Sequence, residues 1–385
     1  TFFKLWWFIN NKYINIGWNN FKFNKKKNNL KMTKKVLIST GGSGGHVIPA
    51  ITIYNHLKST NETLISTDLR GLVYLDKNYN ALVINTPKLN NYFLLPFSFL
   101  KILFLTVKSF FLLKKNNISI LISTGGYMSL PICLAAKILG INIFLIEPNM
   151  VLGRANKFFL NFSKKLICYS KNLINLPKNF QEKQTIIKPL IRKKYYETGI
   201  YHKEDNLFKI IIIGGSQGAT IFDTLINEIL INISKTCSLK VIHQTSRKNT
   251  NLLKNFYKEN KIESTVFSFD QKLNELLKQS DICITRGGAS SLAELSLLKI
   301  PFIVIPLPSS KDNHQYENAK YYKDKDCCWI IDQKNFDKQK FEELLIKISN
   351  KKDDYLTKKN NLEKLNYQNS WNNVNQKLLE IFNEN

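Results

Sequence analysis

At 385 residues, with 44% hydrophobic and 22% charged positions, the chain is long enough for two cores, and its composition excludes both a disordered chain and one embedded wholly in a membrane. Lys and Arg outnumber Asp and Glu by 56 to 29, a formal charge of +27 that points toward nucleic acid or an anionic membrane. Lys, Asn, Ile and Phe are all in excess, as an A/T-biased genome produces, so the clustering of charge says more than its total.

The stretch Thr1 to Lys35 holds nine Lys and no acid, interleaved with Phe2, Phe3, Trp6, Trp7, Phe8, Tyr13, Trp18, Phe21 and Phe23. Residues 1–31 read either as sequence ahead of a start at Met32, whose "MTKKVLISTGG" opens as a first strand does, or as a basic aromatic arm for a membrane surface. The apolar run near Phe8 is too short for a secretory signal. Then "KKVLISTGGSGGHVIPAITIYNHL" runs from strand through glycine turn to amphipathic helix, and "KIIIIGGSQGATIFDTLINEIL" repeats that sequence of elements in the second half. The continuous apolar runs "ISILIST", "INIFLIE", "KLICYS", "LKVIHQ", "DICITR" and "PFIVIPL" are those of parallel strands covered on both faces. The fold class is α/β, with two doubly wound Rossmann-like domains facing across a cleft. The expected division is 32–192 for the first domain, 193–206 for a polar linker and 207–360 for the second. A C-terminal helix within 361–385 is expected to pack back on the first domain.

The segment Tyr92 to Lys115 is long and apolar enough to be mistaken for a transmembrane helix. Lys101, Lys108 and Lys115 recur every seven residues on one face, and the segment joins strands of one sheet. It therefore predicts an amphipathic crossover helix, whose surplus of Phe (Phe93, Phe97, Phe99, Phe104, Phe110, Phe111) favours contact with an anionic membrane over burial in the core alone.

Six cysteines form no CxxC pair and five histidines stand singly without HExxH, which favours reduced thiols in a cytosolic compartment and gives no metal site. The chemistry lies in the glycine turns. A strand ending in glycines at a helix start exposes bare N–H groups suited to a phosphate or diphosphate. "GGSGGH" at 41–46 breaks the G-x-G-x-x-G dinucleotide pattern and lacks G-K-[ST]. His46 beside it is of the residue type that removes a proton from a hydroxyl near neutral pH. "TGGYMSLP", "GGSQGA" and "RGGASSLAEL" repeat the turn three times. Glu294, a turn into the last helix, is placed to meet a ribose, and "PLPSSKDNHQYENA" is rich in groups for sugar hydroxyls.

In this order over roughly residues 33–380, these motifs together with "EPN" resemble the MurG-type glycosyltransferases. The resemblance implies the GT-B glycosyltransferase architecture and transfer of N-acetylglucosamine from UDP-N-acetylglucosamine to undecaprenyl-diphosphate-linked N-acetylmuramoyl-pentapeptide. It implies no cofactor, no nucleic acid, and a peripheral place on the cytoplasmic face of the bacterial cell membrane. Carried over by position, it makes His46 the general base. It sets Ser43, Gly44, Gly45, Asn149, Arg192, Ser216, Gln217, Arg286, Glu294, His314 and Gln315 around the donor. Gly42, Gly44, Gly125, Gly126 and Tyr127 fall to the acceptor diphosphate. The family's H-E-Q-N appears as Ile146, Glu147, Pro148, Asn149; its G-N-P-[VI]-R appears as "KPLIR", ending in Arg192. His314 replaces a glutamine on the expectation that both offer a donor. Competing readings are another lipid or natural-product glycosyltransferase, a UDP-sugar epimerase, and a basic binding module.

Overall fold

The computed structural model describes residues 34–383 apart from 77, 88–94, 198–205, 216–220, 269 and 271. The extension 1–31, residues 198–205 of the linker, Phe93, Ser216 and Gln217 thus lie outside the described residues. The apolar runs form two all-parallel sheets. The first contains β1 (Lys35–Ser39), β2 (Glu62–Thr67), β3 (Ala81–Val83), β4 (Ile120–Ser123), β5 (Asn142–Glu147), β6 (Ser163–Cys168) and β7 (Gln184–Ile186), in the order β3-β2-β1-β4-β5-β6-β7. The second contains β8 (Phe208–Ile213), β9 (Leu239–Gln244), β10 (Glu263–Phe267), β11 (Ile282–Thr285), β12 (Phe302–Val304) and β13 (Cys328–Ile330), ordered β10-β9-β8-β11-β12-β13. Every residue of the central strands β4 and β11 is buried, because helices cover both faces. In each sheet the chain winds outward from its first strand and then returns to that strand's other side. The loops leaving β1 and β4, and those leaving β8 and β11, therefore diverge and open a crevice at the strands' carboxyl ends.

The helices of the first domain are α1 (Gly44–Leu57), α2 (Leu95–Lys115), α3 (Leu130–Ile138) and α4 (Arg154–Phe159). Those that follow are α5 (Phe222–Leu225), α6 (Asn227–Thr236), α7 (Thr250–Glu259), α8 (Leu273–Lys278), α9 (Ala289–Leu297), α10 (His314–Lys323), α11 (Lys338–Ser349), α12 (Asp354–Leu365) and α13 (Trp371–Asn383). Leu362 of α12 packs in the core of the second sheet. The chain then crosses, and Val374, Leu378, Ile381 and Phe382 of α13 join Val36, Ile53 and Phe144 in the core of the first. The two domains are thus tied by the linker and by this returning helix, and α9 packs against α1.

At the return crossing, His56 of α1 stacks on Trp371, with ring centroids 3.5 Å apart, and its Nδ1 faces Asn375 Oδ1 at 3.2 Å. Burial lowers the pKa of His56 from 6.5 to about 4, although the Asn375 contact opposes the shift. The folded protein therefore holds a neutral ring, whereas the unfolded chain takes up a proton below about pH 6.5. This stability is present above that pH and is lost as pH falls toward 4. Between pH 7 and 5 the group should remove about 2 kcal/mol of stability. His56→Phe, which keeps a ring against Trp371, should show a correspondingly smaller fall in melting temperature between those two pH values.

By length and composition, the segment Pro96–Lys115 of α2 could cross a membrane. Its place in the fold decides otherwise: it joins β3 to β4, which lie in one sheet, and it packs against α3. Ile102, Leu105 and Leu113 face the core, and Phe110 packs partly against it. Phe97, Phe99, Phe104 and Phe111 are each more than 60% exposed, and Leu100, Leu103 and Val107 more than half. Lys101, Lys108 and Lys115 are exposed beside them.

Candidate active site

The first two glycine turns leave neighbouring strands, β1 and β4, and are held side by side by Thr124 Oγ1 donating to Thr40 Oγ1 at 2.8 Å. Ser43 is extended and opens α1; its carbonyl accepts from the N–H groups of His46 and Val47. No carbonyl among the described residues takes the N–H of Gly44 or Gly45, so the head of α1 keeps bare donors at the positive end of its dipole. Gly42 differs from the expectation drawn for it. Its N–H already donates to Asp68 Oδ1 at 2.8 Å, so it offers no free amide to an anion.

His46 stands between the two turns. Its Nδ1 lies 2.8 Å from the carbonyl oxygen of Thr124, and because a carbonyl only accepts, the ring proton sits on Nδ1. In the neutral ring the lone pair is therefore on Nε2, at the edge that faces Gly126. Gly126 has φ +83°, and a Cβ there would come within 3.0 Å of Met128 Cε and 3.6 Å of His46 Nε2. Glycine keeps that edge of the ring open.

Asp68 and Arg70, at the carboxyl end of β2, were not picked out by the sequence reading. Asp68 is buried and accepts from Gly42 N, Gly71 N and the Nε of Arg70, whose Nη2 pairs with it at 3.0 Å. Arg70 in turn bonds Tyr127 OH through Nη2, with its guanidinium 5.5 Å from the centroid of that ring. A fixed positive charge thus lies between the two turns. The only signal for it in the sequence is an acid and a base, "TDLRG", directly after a strand.

Glu147 ends β5, also buried, and its carboxylate is met by N–H donors rather than by a cation. Oε1 accepts from Asn149 N (3.2 Å) and Nδ2 (3.0 Å), and Oε2 from Gly153 N (2.8 Å) and Asn156 Nδ2 (3.0 Å). Asn149 Oδ1 accepts from Nδ2 of Asn318, 169 residues away in α10. Met150 N–H donates to Asn318 Oδ1, and Arg154 pairs with Asp312. The carboxyl ends of the two sheets therefore meet here, with the Asn149 carboxamide turned into the contact.

In the second domain, Glu294 of α9 is buried and accepts from Nε of Arg192 at 2.8 Å, with Nη2 of the same guanidinium paired to it and donating to Tyr195 OH at 2.8 Å. Burial works against the charge on Arg192, but Glu294 beside it leaves its pKa raised; burial together with Glu294 pushes the Tyr195 phenol well above its ordinary value. Arg286 is 8% exposed and makes no ion pair with a carboxylate among the described residues. Its Nη1 donates to the Ile305 carbonyl and to Gln333 Oε1, its guanidinium lies 4.9 Å from the centroid of the Phe222 ring, and burial lowers its pKa. A buried cation of this kind calls for an anion. Gly215 turns the chain with φ +79° toward Ser216 and Gln217.

α10 begins at His314. His314 Nδ1 lies 2.7 Å from the Lys311 carbonyl and must carry the ring proton, so the neutral ring presents an acceptor at Nε2. The donor expected there in place of glutamine is already committed to that carbonyl. Gln315 Oε1 accepts from Leu307 N–H, which leaves its amide NH2 as the end able to donate. A cavity of about 400 Å³, lined in part by Tyr169, Pro189, Tyr321, Leu365 and Val374, lies at the chain crossings, and none of the predicted site residues lines it.

Residues 36–168 match the glycosyltransferase family 28 N-terminal domain, and residues 209–373 match the family's C-terminal domain. The chain belongs to glycosyltransferase family 28. It is 45% identical over 356 residues to the UDP-N-acetylglucosamine--N-acetylmuramyl-(pentapeptide) pyrophosphoryl-undecaprenol N-acetylglucosamine transferase of Pelagibacter ubique, a match covering 92% of this chain and all of that one. The enzyme of the same name from Rickettsia canadensis is 34% identical over 83% of this chain and 92% of its own. Within family 28 the chain is thus one of the MurG-type glycosyltransferases. Its fold is that of Acinetobacter baumannii MurG, with a TM-score of 0.71 at 21% identity over 90% of this chain and 99% of that one. UDP-GlcNAc 2-epimerase from Neisseria meningitidis shares the fold at a TM-score of 0.62 and 13% identity, over 91% of this chain and 100% of that chain. The two-domain GT-B architecture by itself therefore does not separate a family 28 transferase from an epimerase.

Proposed function

We propose that this chain transfers N-acetylglucosamine from UDP-N-acetylglucosamine to the 4-hydroxyl of the undecaprenyl-diphosphate-linked N-acetylmuramoyl-pentapeptide, giving the lipid-linked disaccharide precursor of peptidoglycan. The substrates follow from the full-length identity to the Pelagibacter relative. The chemistry rests on one observation: His46, its neutral tautomer fixed by Thr124, turns Nε2 toward the space between two glycine turns.

In this reading the acceptor diphosphate lies against the head of α1 and the turn Gly125–Tyr127, with Arg70 supplying charge. The acceptor hydroxyl gives its proton to His46 Nε2 as its oxygen attacks the anomeric carbon. Departure of UDP from the opposite face inverts that centre and leaves a β-1,4 link. The growing negative charge on the leaving diphosphate is met by Arg286 and by the N–H groups at the head of α9. Glu294, oriented by Arg192, takes the ribose hydroxyls, and Gln315 and His314 hold the donor sugar. The test is transfer of labelled N-acetylglucosamine from its UDP donor to the lipid-linked acceptor. Release of UDP with no transferred sugar would favour a hydrolase instead, and conversion of the donor to its epimer an epimerase.

The exposed apolar and basic face of α2 suits a peripheral place on the cytoplasmic side of the membrane, with the phenylalanines in the acyl boundary and Lys101, Lys108 and Lys115 on anionic headgroups. The double substitution Phe104→Ser and Phe111→Ser should weaken binding to anionic vesicles by about tenfold or more. Turnover on a water-soluble acceptor should stay unchanged. Equal vesicle binding by the variant and the parent would remove α2 as the anchor.

A further inference from the structure

Asn318 is 2% exposed, one turn into α10, and every hydrogen-bonding group of its carboxamide is engaged. Oδ1 accepts from Met150 N–H at 2.8 Å; Nδ2 donates to the Gly287 carbonyl at 2.9 Å and to Asn149 Oδ1 at 3.1 Å. Gly287 belongs to its own domain, while Asn149 and Met150 belong to the other. The pattern is specific to the side chain. Aspartate would set a carboxylate against two carbonyl oxygens, and alanine would take the partner from two buried groups and one half-buried one. The Arg154–Asp312 pair also crosses between the domains, but it is exposed and correspondingly weak.

From Asn318 a continuous polar path runs to the acceptor side. Asn149 Nδ2 bonds Glu147 Oε1, Asn156 Nδ2 bonds Glu147 Oε2, and the Asn156 carboxamide lies so close to Gly125 that a Cβ there would come within 3.1 Å of it. At its other end Asn318 grips the carbonyl of Gly287, immediately ahead of α9, and shares the first turns of α10 with His314 and Gln315. Arg192, Glu294 and Arg286 make their own bonds elsewhere.

We propose that Asn318 is a positioning residue. It latches the helix that carries the donor-sugar contacts to the Glu147–Asn149 turn of the first domain, and so fixes the gap between the donor and the turns around the acceptor. The inference rests on the transferase reading above and adds that this gap is set by one buried carboxamide. The latch should therefore govern the transfer step while leaving uridine nucleotide binding alone.

The experiment compares the parent enzyme with Asn318→Ala, Asn149→Ala and the double variant. It measures UDP affinity by calorimetry, kcat and KM for both substrates, and hydrogen exchange in the peptide that carries Met150. In Asn318→Ala, exchange at Met150 should quicken at least about tenfold and kcat/KM for the acceptor should fall roughly tenfold to a hundredfold, from the loss of up to three buried hydrogen bonds. UDP affinity should stay within about twofold, and the double variant should be little worse than Asn318→Ala alone. Faster exchange with unchanged transfer would remove Asn318 from catalysis, as would a loss of UDP affinity that matches the loss of transfer. Strict additivity would show that the two asparagines act separately. If Asn318→Ala does not fold, Asn149→Ala removes the shared bond from the half-buried side together with the Asn149–Glu147 bond, and it must lower kcat/KM for the acceptor. If the parent enzyme transfers no sugar, the transferase reading fails, while the exchange at Met150 still decides whether the latch exists.

Discussion

Replacing His46 by alanine is expected to lower turnover about a hundredfold or more while UDP-N-acetylglucosamine affinity stays within about twofold. The expectation rests on elimination as much as on placement. Two other proton acceptors lie at the carboxyl end of the first sheet, Asp68 and Glu147, which already accept from three and four N–H groups. Neither can take a hydroxyl proton without giving up a buried hydrogen bond. His46 loses nothing of the kind, because the one side-chain hydrogen bond it makes among the described residues is through Nδ1. Steady-state kinetics together with UDP calorimetry check this, and a variant with full turnover would require a base outside these turns.

Gly287→Ala is expected to raise the KM for UDP-N-acetylglucosamine about tenfold or more and to lower kcat/KM about a hundredfold in a protein that still folds. A Cβ on Gly287 would lie 2.0 Å from the Gln315 carbonyl oxygen, 2.7 Å from its carbonyl carbon and 2.9 Å from its Cα. All three atoms are backbone, so no side-chain rotation relieves the clash and the first turn of α10 must move. Overpacking of this kind costs about 1–3 kcal/mol of stability. The functional cost is larger, because His314, Gln315 and Asn318 all move with that turn, and an ångström of misplacement at a reacting centre is worth about a hundredfold. Kinetics paired with a melting curve separate the two effects. A normal KM in the variant would mean that the turn does not hold the donor.

These residues also show where the sequence stops being informative. The strands were legible because a strand buried on both faces must be apolar, as "PFIVIPL" shows by containing the fully buried β12. The short edge strands β3, β7, β10 and β13 lacked that signal, because their positions are only partly buried or number only three. The long apolar segment of α2 was legible as a crossover because strands on both sides of it belong to one sheet.

The sequence alone determined the two-sheet fold, the glycines that follow β1, β4, β8 and β11, and the solitary histidine beside the first of them. Each follows from a local rule, whether the apolar pattern of a buried strand or the bare amides that glycine leaves at a helix start. Tertiary structure alone decided that Gly42 gives its amide to Asp68, that Arg70 stands between the turns, that His314 presents an acceptor, and that Asn318 spans the domains. Those outcomes depend on hydrogen-bond partners 26 to 169 residues apart, or on which carbonyl a ring nitrogen meets. A polar side chain carries the same donors and acceptors wherever it sits, and only the folded chain determines which of them meet.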